Sequence, residues 1–245
     1  MIKGFILALQ FLTRLPINVA IDFNSENLRR STFFYPYVGL ILGAIATIPY
    51  YLFSPYNKQV SAFMVLLLMI FLTGGLHLDG LSDTADGFFS NRDREGTLEI
   101  MKDSRIGAFG VISLILIILF KYILILSLDT NLPVAMALSM GNSRLTTLLQ
   151  IAFKKNARPG GLGDMIHQAH SKPYIVTTAI IYTLITLGLD LSFLIPLIIS
   201  LIFGQFISLY SYKKIGGFTG DVYGASIELT EAISLLAFWG VFIWT

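Results

Sequence analysis

Residues 73–110 read TGGLHLDGLSDTADGFFSNRDREGTLEIMKDSRIGAFG and separate two long apolar runs, 60–78 and 108–128. The stretch carries seven of the fifteen carboxylates in the chain. The runs on either side approach the roughly 20 apolar residues that a helix needs to cross a bilayer. An acidic segment between two such runs sits at a membrane edge. Composition agrees: of 245 residues, 55% are hydrophobic and 13% charged, against about 25% charged in a soluble domain. Mean hydropathy is +0.73. The expected fold class is all-α, a multi-pass integral membrane helical bundle.

Further apolar runs extend the pattern in both directions. Spans are expected near 33–53, 60–78, 108–128, 133–152, 174–189, 191–210 and 227–245, about seven spanning helices in all. Residues 4–20 are interrupted by Gln10 and Arg14 and read as an N-terminal interfacial or re-entrant helix. No small-residue cleavage site follows it, so it reads as retained. The polar segments 22–31, 79–107, 154–173 and 211–226 read as loops and hold twelve of the seventeen Lys and Arg residues. The opposite loops, 54–59, 129–132 and 190–191, hold only Lys58. Positive charge marks the cytoplasmic side. Loops 79–107, 154–173 and 211–226 are therefore expected to form a cytoplasmic active-site mouth on a single membrane-embedded catalytic domain, residues 1–245.

Composition also excludes chemistry. With no cysteine, disulfides, thiolate metal sites and cysteine nucleophiles drop out. No nucleophile elbow, zinc-protease motif or dinucleotide fingerprint appears. The net charge of +2 comes without a basic, aromatic-interleaved patch, so nucleic acid is not an expected partner. The lipid bilayer is one, and a homo-oligomer is compatible with the sequence.

Asp79, Asp83 and Asp86 are spaced four and three apart, which stacks them on one helix face. Three stacked anions repel, and a hard divalent cation such as Mg²⁺ is the usual reason to accept them. Gly74, Gly75, Gly80 and Gly87 flank them and permit close packing or close approach of a phosphate. Lys102, Asp103 and Arg105 precede the next span: Asp103 is a candidate ligand or base, and the two cations suit phosphate. His77 is a candidate proton carrier or ligand. Lys121 and Arg144 lie inside apolar spans, where a charge is either functional or paired; Arg144 is the stronger candidate for an anionic ligand. Thr219 and Asp221 sit in a glycine-rich loop able to cradle phosphate oxygens. RPGGLGD at 158–164 is a weaker run of the same kind. Carboxylates for a metal, cations for phosphate and an apolar body together point to metal-assisted phosphoryl transfer at a membrane face.

Five motifs carry a family resemblance: LQFLTRLP (9–16), FYPYVGLILGA (34–44), GGLHLDGLSDTADG (74–87), LEIMKDSRIGAFG (98–110) and GGFTGDVYGA (216–225). With them the chain resembles the cobalamin synthase family, the adenosylcobinamide-GDP ribazoletransferases, nearly end to end. The resemblance implies a Mg²⁺-dependent enzyme of the bacterial or archaeal cytoplasmic membrane. Such an enzyme joins adenosylcobinamide-GDP to α-ribazole or its 5′-phosphate, giving adenosylcobalamin or its 5′-phosphate and GMP. By the same resemblance Asp79, Asp83 and Asp86 bind Mg²⁺, and Asp103 is a further ligand or the base. Lys102 and Arg105 hold phosphates, Asp221 with Thr219 closes the site, and Arg14 is an additional anion contact.

Two alternatives stand beside this. The CDP-alcohol phosphotransferase pattern begins well at Asp83, Asp86 and Gly87. It then fails at Ser90 and Asn91 and again at Ile100, Ser104 and Ala108. An aspartate-lined cation transporter predicts mid-membrane acids and repeat symmetry, whereas these acids lie at one edge.

Overall fold

The computed structural model describes residues 1–158, 160 and 162–244. Of the RPGGLGD run, Pro159 and Gly161 lie outside the described residues. The chain folds as α1 (Ile2–Leu12), α2 (Ser25–Thr32), α3 (Tyr35–Ala46), α4 (Ile48–Phe53), α5 (Lys58–Thr73), α6 (Leu76–Phe89), α7 (Arg94–Ile100), α8 (Ala108–Leu128), α9 (Leu132–Phe153), α10 (Leu162–Ala169), α11 (Lys172–Leu189), α12 (Leu194–Ile215) and α13 (Gly220–Trp244). Extended pairing among the described residues is confined to a lone bridge between Asn156 and Phe218. The all-α bundle is as expected.

Five helical stretches are long and apolar enough to cross a membrane: Tyr35–Phe53, Ala108–Phe153, Lys172–Leu189, Leu191–Ile215 and Gly220–Ile243. The pair α5–α6, bent by 87°, is either a broken sixth span or a re-entrant loop. The expectation of about seven differs for two reasons. Ala108–Phe153 covers 46 residues, roughly 69 Å of helix against a hydrocarbon core of about 30 Å. It breaks at Asp129, whose φ is +46°, so α8 and α9 are two expected spans run together. The expected span at 60–78, in contrast, stops at Thr73 and turns by 87° into α6.

Several expected loops are helical. Within 22–31, Asn24 caps α2 by accepting from the Asn27 amide, and Glu26 pairs with Arg30 one turn on. Within 211–226, α12 runs on to Ile215 and α13 already begins at Gly220. Segments 79–107 and 154–173 contain α6, α7 and α10. Polarity marked these as extramembrane, but local capping and packing keep them helical. α1, at 11 residues, is too short to span. It lies against α2 and α3, burying Leu7, Ala8 and Leu12.

The core is closest where α3 meets α9. A Cβ on Gly39 would strike the Met140 carbonyl, and one on Gly43 the backbone of Met136 and Ala137. Helices in lipid gain contact by this small-residue approach. Gly39→Ala and Gly43→Ala should each cost about 1–3 kcal/mol, read as a lower melting midpoint in detergent. Gly240→Ala, where a Cβ meets nothing, should be neutral or stabilising by about 0.5–1 kcal/mol. On the other side, α8 leaves Ile112, Ile115, Leu116, Leu119 and Ile123 exposed, a stripe of helical period suited to lipid.

Candidate active site

The acidic face owes its position to two consecutive left-handed glycines. Gly74 (φ +65°) ends α5 and Gly75 (φ +71°) starts α6. A side chain at either position would be strained. Gly74 also lies beneath Arg14, whose amide donates to the Leu72 carbonyl at 2.7 Å. The turn lays α6 against the start of α13. There Gly80 faces the Asp221 backbone and Gly224 faces His77, a Cβ on Gly80 coming within 2.8 Å of the Asp221 carbonyl. This crossing brings Asp83 within electrostatic reach of Asp79, Asp86 and Asp221.

The three sequence-matched aspartates are not equivalent. Asp86 accepts the Gly107 amide at 2.7 Å and the Gly110 amide at 2.8 Å, one on each oxygen. It therefore anchors the first turn of α8 to α6, satisfying amides that a helix start leaves free. Asp79 is exposed and lines a cavity of about 300 Å³ together with His77, Arg144, Arg158, Thr219 and Asp221. Thr219 donates to the Asp221 carboxylate at 3.1 Å, and Arg158 Nη2 approaches the same oxygen at 3.4 Å.

Arg158 and Asn156 reach the cavity because loop 154–158 is stitched to Phe218, just before α13. The Ala157 amide donates to the Phe218 carbonyl at 2.7 Å and the Phe218 amide to the Lys155 carbonyl at 2.9 Å. Arg94 adds bonds to the carbonyls of Ile215 and Ala157. Asp164 closes the loop by accepting from Gly160, Asn156 and Gln168. The Gly160 amide and these partners hold its carboxyl below the usual range. Asp164→Ala should free the loop, with faster tryptic cleavage at Lys155 in the folded protein as the readout. A depressed carboxyl contributes above its ordinary range near 4 and loses its contribution as pH falls below it. The wild-type loop should accordingly resist trypsin at neutral pH.

Lys102, Asp103 and Arg105 do not reach the cavity. Asp103 accepts four bonds from three N–H groups of Arg105, which hold its carboxyl down to about 2. The Arg105 side chain is 87% exposed. Arg14 is likewise exposed, over Gly74. Arg144 and Lys121 are buried and paired. Lys121 Nζ lies 2.6 Å from both Glu228 and Glu231, and Arg144 bonds Glu231. Two cations and two anions thus neutralise one another between α8, α9 and α13. Glu228 and Glu231, Arg158, Arg94 and Asp164 were not among the expected residues. The glutamates carried a signal, being two acids inside an apolar run in a chain with two cations inside others. Arg158 and Asp164 lay at the two ends of the glycine-rich run 158–164, whereas Arg94 carried no signal.

Among the described residues no three acidic or histidine side chains close around a common cation position. Mg²⁺ does not require such a cage. It binds through one or two carboxylates, with water and substrate phosphates completing the octahedron. Asp79 and Asp83 on one helix, opposite Asp221 on another, are hard oxygen donors of that kind and fit it.

A family profile described as cobalamin-5-phosphate synthase matches residues 4–239. A Treponema denticola protein named adenosylcobinamide-GDP ribazoletransferase is 42% identical, over 94% of each chain. Proteins of the same name from Clostridium botulinum strain Okra and Caldanaerobacter subterraneus are 40% and 36% identical, over at least 96% of each chain. No solved structure matches the chain. The match runs through the acidic helix, the α13 start and nearly every span, and the chain belongs to the cobalamin-5-phosphate synthase family.

Proposed function

We propose that this enzyme transfers the cobinamide phosphate of adenosylcobinamide-GDP to α-ribazole or its 5′-phosphate, releasing GMP. The observation that carries the reading is the convergence of Asp79, Asp221 and Arg158 at the mouth of one cavity, with Asp83 within electrostatic reach of Asp79 and Asp221. The names of the relatives supply the substrates.

One or two of the carboxylates of Asp79, Asp83 and Asp221 would hold Mg²⁺, with water and the substrate phosphates completing its shell. Bound there, the ion supplies charge neutralisation of the diphosphate. Arg158 holds phosphate oxygens, its fork matched to them. Thr219 keeps the Asp221 carboxylate oriented. The ribazole hydroxyl attacks the phosphorus on the cobinamide side, a carboxylate of this group takes its proton, and the bond to GMP breaks. Asp86 keeps α6 and α8 together and so positions its neighbours. The Lys and Arg bias of the loops supports a mouth that faces the cytoplasm of a prokaryotic inner membrane.

The test is the full chain in nanodiscs with adenosylcobinamide-GDP, α-ribazole and Mg²⁺. Cobalamin and GMP should form in equal amounts and both should be lost with EDTA. No product with either α-ribazole or its 5′-phosphate would overturn the reading. Turnover of a CDP-linked lipid instead would move the enzyme to another phosphotransferase class.

A further inference from the structure

The cavity has two chemically different ends. At the mouth Asp79 is exposed, and Arg158, Asp164 and Asp221 are half-buried. At the inner end His77, Arg144 and Thr147 line the same cavity with exposures of 4%, 1% and 3%. Each keeps a buried polar atom without a hydrogen-bond partner among the described residues: His77 Nδ1, Arg144 Nε and Thr147 Oγ1. A buried polar group left unpaired is costly. With Tyr35 Oη, also buried and unpartnered among the described residues, they make four such atoms on three helices around one cavity, a site prepared for a polar ligand.

The charge balance says what kind. Glu231 already neutralises Arg144, so the inner end offers hydrogen bonds without net positive charge. Phe11, Tyr35 and Ile151 supply flat and apolar walls. A neutral heterocycle with several polar edge atoms suits these surroundings. A benzimidazole-type base, with one ring-nitrogen acceptor, would leave most of the four atoms unpaired.

We propose that the inner end of the cavity binds the guanine base of the GMP unit that departs, with Arg144 Nε–H donating to its O6/N7 edge. Arg is suited to that pair of acceptors. Thr147 and His77 serve the remaining edge atoms. This placement sets the base deep and its phosphate toward Arg158 and the mouth carboxylates. It rests on the transfer reaction proposed above.

The test is equilibrium binding of GMP, IMP and AMP with Mg²⁺ to the full chain in nanodiscs. IMP keeps the O6/N7 edge, whereas AMP puts a donor where O6 stands. GMP and IMP should bind within a few-fold of each other and AMP about tenfold weaker, one hydrogen bond's worth. Thr147→Val and His77→Leu, with helical content checked by circular dichroism, should bring the GMP-to-AMP ratio toward one. Equal binding of GMP and AMP by the wild type overturns the subsite, as does absence of GMP binding. So do variants that shift only the KM for α-ribazole. Turnover of adenosylcobinamide-GDP without base discrimination removes the subsite and leaves the reaction. Selective GMP binding without turnover removes the reaction and leaves a purine site. Where a variant fails to fold, the wild-type selectivity decides.

Discussion

Glu231→Ala is expected to abolish the folded protein or to lower its stability by about 3–5 kcal/mol, the cost of breaking a buried ion pair. Glu231 is the shared anion of the membrane core. One oxygen takes Lys121 from α8 and the other takes Arg144 from α9. Both cations are 1% exposed, so neither can turn to water when the carboxylate is gone. Native stabilities are only about 5–15 kcal/mol, and a loss of this size is a large share of them. The control is the double variant Lys121→Met with Glu228→Leu. It removes one cation and one anion and leaves the Arg144–Glu231 pair intact. It should fold with a much smaller drop in melting midpoint, because isosteric apolar replacement of a buried pair is often neutral. Monodisperse yield and thermal midpoint in detergent measure both. A Glu231→Ala protein melting with the wild type would mean that the network does not hold α8, α9 and α13 together.

Asp79→Ala and Asp83→Ala should lower turnover by about 10³-fold, equivalent to several kcal/mol of lost transition-state charge stabilisation, with little change in melting midpoint. Asp86→Ala should behave in the opposite way. It orphans the Gly107 and Gly110 amides at the start of α8, costing about 0.5–2 kcal/mol of stability. Its turnover should follow the folded fraction. A Mg²⁺ titration of the transfer reaction beside a melting curve separates the two classes. Asp83→Ala with wild-type Mg²⁺ dependence would remove it from the metal site. Asp86→Ala that melts normally yet is inactive would restore that residue to the chemistry.

The bundle was legible because apolar runs of membrane length have no other stable fate than a helix: backbone polar groups in lipid must pair within their own segment. The acid face was legible because spacings of four and three fix a helical face regardless of context. The helical state of 25–31 and 220–226 was less so, since polarity reports where a segment sits and says little about whether it is capped. The cavity lining was less legible, and Lys102, Asp103 and Arg105 lie outside it. Lys102 and Arg105 have the chemistry for phosphate, but a short turn folds Asp103 back onto Arg105 and keeps them at the surface.

The sequence by itself thus determined the membrane bundle, the acidic helix and the family, each resting on local period, composition or contiguous motif. Only the tertiary structure decided the bonding of Asp86 to the Gly107 and Gly110 amides, the arrival of Arg158, and the pairing of Arg144 and Lys121 with Glu228 and Glu231. The partners of Arg158, Arg144 and Lys121 lie 63 to 110 residues away along the chain. No local pattern connects them. They meet because α8 and α9 pack against α13 and the 154–158 loop pairs with Phe218 just before it, and because a buried charge in lipid is held only beside its opposite.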